Sequence, residues 1–177
     1  MWKKLFSKSP KKSSDPVQDP PGCVSGRSID DLVARTRVHD GFWEPSGFIG
    51  RQAALEIGTP VKPTSDNGFP IGKKGYCWDN SLSIVAKSNS RRYCLGFAAG
   101  YQHRYEPHAW ISENGLYYEV SPQTGKINNY ILVYEEPFQR FEELSIRLTG
   151  EGINVAPMID IEGKIIICKI KKTVSTI

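Results

Sequence analysis

Hydrophobic and polar positions divide this chain into a front part with helical spacing and a rear part that alternates as strands. Ser28 can cap a short helix whose apolar positions are Ile29, Leu32 and Val33, with Asp30 and Asp31 in the first turn. A second short helix is expected over about 48–57, stopping at Gly58 ahead of Pro60. The stretch 58–75, punctuated by Gly58, Pro60, Pro63, Gly68, Pro70, Gly72 and Gly75, predicts a loop. From Trp78 to Lys87 the spacing of Leu82, Ile84 and Val85 predicts a helix that starts at Cys77 and gives out in the polar run S-N-S-R-R. Beyond it Tyr93–Ala99, His108–Ser112, Leu116–Val120 and Tyr130–Tyr134 are aromatic and β-branched, bounded by Gly, Pro and Asn, and predict strands. A helix over Phe138–Leu148 and a last hairpin turning near Glu162-Gly163 complete the pattern, with no internal repeat. The expected class is α+β, an antiparallel sheet packed against the helix that carries Cys77 at its N-terminus.

Composition sharpens this in three places. Residues 1–25 are rich in Lys, Ser, Pro, Asp and Gly, too poor in apolar surface to offset the entropy of ordering, so they are expected to form a disordered basic arm ahead of a single domain over 26–177. The formal charge of +4 is a sum of +5 from Lys3, Lys4, Lys8, Lys11 and Lys12 and about −1 from the rest. A body of that balance does not grip nucleic acid specifically. The arm's Trp2, Leu5 and Phe6 among lysines give at most weak membrane contact. No apolar run of signal-peptide or membrane-spanning length appears, and the four cysteines, Cys23, Cys77, Cys94 and Cys168, are irregularly spaced. They are expected to be reduced thiols of a cytoplasmic protein, with Cys94 and Cys168 packed in the core.

The candidate chemistry lies in G-Y-C-W-D-N-S at 75–81 and P-H-A-W-I at 107–111, which runs on into Y-Y-E-V-S-P at 117–122. An activated thiol needs an imidazole to take its proton, and the imidazole needs a third group to orient it. Asn114-Gly115 predicts a two-residue type I′ turn. That turn pairs Glu113 with Leu116 and puts His108, Trp110, Glu119 and Ser121 on one face, with Glu119 diagonal to His108 at a Cβ separation of roughly 7 Å. Cys77 at a helix start gains from the helix dipole and from the imidazole, and its own N–H can serve as an oxyanion donor.

These pieces resemble the transglutaminase-like cysteine enzymes within the wider papain-like group. G-Y-C-W-D-N-S, Y-C-L-G-F-A-A-G, H-A-W-I and G-L-Y-Y-E-V-S-P follow one another over roughly 70–125 in that group's order, and are similar to small bacterial and phage proteins with the C-x-x-N, G-x-A, H-A-W arrangement. The resemblance implies Cys77 as nucleophile, His108 as base and Glu119 in the place where the family carries aspartate. It also implies the fold of that group.

The expected function is acyl transfer or amide hydrolysis of peptidase, amidase or transglutaminase type, by a Cys77-His108-Glu119 triad acting on a protein or peptide-like amide. The competing expectation is a catalytically inactive domain of the same fold that binds or inhibits a protein, for a phage product a host protein. It is motivated by Glu119 and by the lack of an evident oxyanion side chain among Asn67, Gln52 and Trp43. Trp78, Asn80 and Trp110 are the candidate substrate-binding residues, Trp110 foremost because it shares the face of His108. His103 is expected in a solvated loop, Arg91 and Arg92 as solvated strand-end charges, and no spacing calls for a metal or another cofactor.

Overall fold

The structure, a computed structural model, describes residues 27–64, 68–99, 104–122 and 129–170. The arm, His103 and Asn67 lie outside the described residues. In chain order the elements are α1 (Ile29–Ala34), β1 (Thr36–Asp40), α2 (Arg51–Ile57), β2 (Thr59–Val61), α3 (Cys77–Val85), β3 (Arg91–Ala99), β4 (Tyr105–Glu113), β5 (Leu116–Tyr118), β6 (Tyr130–Pro137), α4 (Phe138–Thr149), β7 (Met158–Ile159) and β8 (Ile165–Lys169). Five strands form an antiparallel sheet in the order β2-β6-β3-β4-β5, and three form a second, mixed sheet in the order β1-β8-β7. The fold is therefore α+β, as the hydrophobic pattern predicts. Among the described residues no helix is long and apolar enough to cross a membrane.

Two strands depart from the expected elements. Thr36–Asp40 pairs in parallel with β8 although most of its side chains are exposed, so no alternation marks it in the sequence. Thr59–Val61, inside the expected loop, adds to the sheet edge beside β6. Both are held by backbone pairing to distant segments, which local pattern does not report. The expected strand-end charges are also corrected. Arg91 bridges to Glu113 at 3.1 Å, and Arg92 is buried, because β3 is an interior strand of the five-stranded sheet rather than an edge.

The main core lies between the large sheet and the helices. It takes Tyr93, Leu95, Phe97, Ala109, Ile111, Ile131 and Val133 from the sheet, Leu32, Ala54, Phe141 and Leu144 from three helices, and Leu82, Ile84 and Val85 from α3. Each large apolar side chain buried this way is worth about 1.5–3 kcal/mol. The far half of α3 is thus pinned to the sheet while its first turn stays at the surface. Two tyrosine hydroxyls join the sheets: Tyr93 donates to the Pro157 carbonyl and Tyr134 to that of Gly163, each at 2.8 Å.

One glycine is dictated by this packing. At Gly96 β3 pairs with β4 and β6 at once, with a register shift between Leu95 and Gly96. A Cβ there would run into the Ile131 carbonyl oxygen and stand 2.8 Å from the Trp110 ring. Gly96→Ala is expected to destabilise by about 2–3 kcal/mol, as overpacked cores do, lowering the Tm by roughly 5–10 °C. Thermal unfolding followed by circular dichroism checks this; an unchanged Tm means the sheet can open there.

Candidate active site

Cys77 is the first residue of α3, half-buried and free of any disulfide. Tyr76 supplies no side-chain cap, so the first-turn N–H groups have no capping side chain to satisfy them. Asn80, in the first turn of α3, holds the upstream loop at Lys73 in place. Its Oδ1 accepts from the Lys73 N–H at 3.1 Å, and its Nδ2 donates to the Lys73 carbonyl at 2.8 Å and to Ser121 Oγ at 2.9 Å. Gly72 donates to the Val120 carbonyl at 2.8 Å and lies so close to the Asn80 amide that a Cβ would collide with it. A loop, a helix and the end of the 105–118 hairpin are thereby fixed to one another around Cys77.

The hairpin forms as its turn chemistry predicts. Asn114 and Gly115 have φ of 53° and 76°, and Glu113 pairs with Leu116, Ser112 with Tyr117 and Ile111 with Tyr118. Beyond the ladder Glu119 turns onto the face of His108, and Nε2 of His108 lies 2.8 Å from Glu119 Oε2. Glu119 accepts two further bonds at 2.8 Å, from the Ser121 N–H at Oε1 and from the Tyr130 hydroxyl at Oε2. With Nε2 committed to the carboxylate, the nearby thiol of Cys77 acts on the same ring, and both neighbours raise the pKa of His108.

The electrostatics follow from this chain of contacts. Burial alone would lower the pKa of His108, but the negative charge of Cys77, the hydrogen bond with that thiol and the bond and charge of Glu119 prevail, and it is pushed up to about 10. Burial would likewise raise Glu119, but the bond from His108, its charge, the Tyr130 hydroxyl and the Ser121 N–H hold its carboxyl below the usual range. The Tyr130 hydroxyl is pushed upward, by burial first and then by the Glu119 charge. It therefore stays a donor. This arrangement favours the imidazolium form of His108 beside a carboxylate that stays ionised.

The three expected substrate-binding residues fall in different surroundings. Trp78 is partly buried, packs against both the main core and the cluster of Met158, Ile166 and Cys168, and lines a surface cleft. Trp110 does share the face of His108, with ring centroids 6.2 Å apart, but is fully buried with Cys94, Ala98, Tyr130 and Leu132. It offers no surface to a substrate. Asn80 uses both amide hydrogens on Lys73 and Ser121, so it is a brace rather than a substrate contact. Gln52 is bonded to Glu56 on its own helix and Trp43 packs against the Met158 cluster. Cys94 and Cys168 are buried, as expected of core thiols.

Tyr130 is the residue that sequence reasoning missed. In the sequence it is one more aromatic in a strand, and its proximity to Glu119 depends on pairing across β6, β3 and β4 that no local signal encodes. A hydrogen bond to a buried charge is worth about 1.5–3 kcal/mol. Tyr130→Phe is therefore expected to lose that much stability at neutral pH. Because Glu119's folded pKa is depressed, the loss should shrink as pH falls through it and the carboxylate is protonated. Urea unfolding of both proteins across the acidic range measures this, and a difference independent of pH would sever the tyrosine from the carboxylate.

Comparison of the chain with protein-family models, with curated proteins and with solved structures finds no match.

Proposed function

We propose that this chain is a thiol-dependent acyltransferase or amide hydrolase of transglutaminase-like, papain-like architecture, with Cys77 as nucleophile, His108 as acid and base and Glu119 as the group that orients His108. One observation carries this reading: a single buried imidazole has one nitrogen on a low-pKa carboxylate and its other side on a cysteine at a helix start. Three residues 31 and 11 positions apart in sequence have no packing reason to form such a relay. A core cysteine would be expected among apolar side chains, as Cys94 is.

The thiolate sulfur attacks the carbonyl carbon of an amide or thioester, forming the S–C bond while the π electrons move to oxygen. The Cys77 N–H, uncapped at the start of α3, is the donor proposed for that oxyanion. As the tetrahedral intermediate collapses, the C–N bond breaks and the His108 imidazolium gives its proton to the departing amine. The neutral imidazole then takes a proton from water or from a second amine, which attacks the thioester and restores the thiolate. The imidazole does not need to turn, since Nε2 stays on Glu119 throughout. A soluble, cytoplasmic setting suits the free thiols.

The test is selective labelling. Cys77 should react with an activated ester at neutral pH far faster than Cys94 or Cys168, as read by peptide mass mapping. If it reacts no faster than an ordinary exposed thiol, the chain is better understood as a binding domain of the same fold.

A further inference from the structure

A cleft of about 400 Å³ opens beside the candidate nucleophile, within the range of pockets that hold small ligands, roughly 300–1,000 Å³. Tyr76 and Trp78, the two chain neighbours of Cys77, stand on its wall with Pro107, the neighbour of His108. Phe42 lies at its rim, 65% exposed. Glu44 and Asp79 also line it, and among the described residues no lysine, arginine or histidine does. Neither carboxylate has an ion pair or hydrogen bond among the described residues, whereas Asp160, Glu162 and Glu113 each have an arginine partner. The nearby Lys73 ammonium is engaged with the ring of Tyr76, 4.2 Å from its centroid.

Asp79 is two residues after Cys77 and half-buried. An acid in the first turn favours the helix. A bound cation would supply the missing charge partner, and the aromatic walls suit an organic cation rather than a hydrated metal ion. We propose that this cleft is a substrate subsite for a cationic organic group, a guanidinium or ammonium such as an arginine or lysine side chain carries, held between Glu44 and Asp79 next to the bond that Cys77 attacks. The cation and the acyl group then arrive together. Burial, which raises the pKa of Asp79, agrees with a carboxylate waiting for a partner.

This assignment rests on Cys77 being the nucleophile, so the experiment separates the two. Cys77 is alkylated with N-(4-guanidinobutyl)chloroacetamide and with its neutral isostere, N-(4-ureidobutyl)chloroacetamide. The wild type is expected to prefer the guanidinium probe by about tenfold, allowing for solvent around the pair. The preference should fall to threefold or less in Asp79→Asn/Glu44→Gln and decline with added salt. Equal rates for the two probes, with the neutral one fast and dependent on His108, would overturn the subsite while leaving the nucleophile intact. A slow neutral probe insensitive to His108 would instead sink the catalytic reading, and the subsite is then decided on Cys77→Ala by calorimetry. Tighter binding of acetyl-arginine amide than of acetyl-citrulline amide supports it, and equal binding rejects it. Glu44→Gln alone, a loop change away from α3, guards against misfolding of the double variant by lowering the same ratio.

Discussion

Replacing His108 by alanine is expected to slow acylation of Cys77 by about 10²–10⁴-fold, the span that positioned acid–base catalysis supplies. In the proposed mechanism His108 has two roles. Its positive charge stands next to Cys77, and with Nε2 on Glu119 the other ring nitrogen would supply the proton for a departing amine. Alanine also leaves Glu119 and the Tyr130 hydroxyl buried without the imidazole, so folding must be confirmed by near-ultraviolet circular dichroism. His108→Asn, which keeps an amide donor within the cavity, should be as slow but better folded. In the wild type the two roles separate at high pH. Above about pH 10 the imidazolium loses its proton, so cleavage of an unactivated amide should fall while alkylation of Cys77 continues. Parallel pH profiles for the two reactions would contradict the assignment of His108 as the acid.

Glu119→Gln is expected to slow acylation on the order of 10²-fold and to destabilise the protein by about 2–3 kcal/mol. The carboxylate accepts at both oxygens, from His108 and Tyr130 at Oε2 and from the Ser121 N–H at Oε1. Glutamine has one oxygen, so its amide group must face either the Ser121 N–H or the His108 and Tyr130 pair with a donor. The charge that supports the imidazolium is lost in either orientation. Glu119→Asp keeps the charge but not the reach, and should fall between glutamine and wild type. The stability readout has a defined sign. The folded pKa of His108, about 10, lies above its ordinary 6.5, so its contribution is complete below pH 6.5 and is lost as pH rises through about 10. That of Glu119 is depressed, so its contribution is present above its ordinary 4.5 and lost as pH falls through the folded value. Glu119→Gln should remove the acidic limb of the stability profile. An unchanged acylation rate in this variant would leave at most a Cys77–His108 dyad.

Much of the site was legible because its determinants are local. Asn114-Gly115 fixes a type I′ turn, the turn fixes a register, and the strand period of two then fixes which side chains share a face. Cys77 at a helix start followed from the spacing of Leu82, Ile84 and Val85. The same face rule, however, says only that Trp110 lies beside His108. It does not say whether that face is covered, and the packing of Tyr130, Leu132 and Cys94 covers it.

The sequence by itself pointed to four helices, from Ser28, over about 48–57, from Cys77 to Lys87 and over 138–148, and to a hairpin turning at Asn114-Gly115 with Glu119 diagonal to His108; the structure has helices at 29–34, 51–57, 77–85 and 138–149 and joins His108 to Glu119. Each depends on contacts a few residues apart, where backbone propensity and side-chain period act directly. Only the tertiary structure decided the parallel pairing of the exposed β1 with β8, the donation of Tyr130 to Glu119, the diversion of Asn80 into bracing Lys73 and Ser121, and the joining of residues near 42–45, 75–79, 107 and 155–158 into one cleft. These are encounters between segments far apart in the chain. Their geometry is set by how the sheets and helices close on a shared core, and no local pattern of residues carries it.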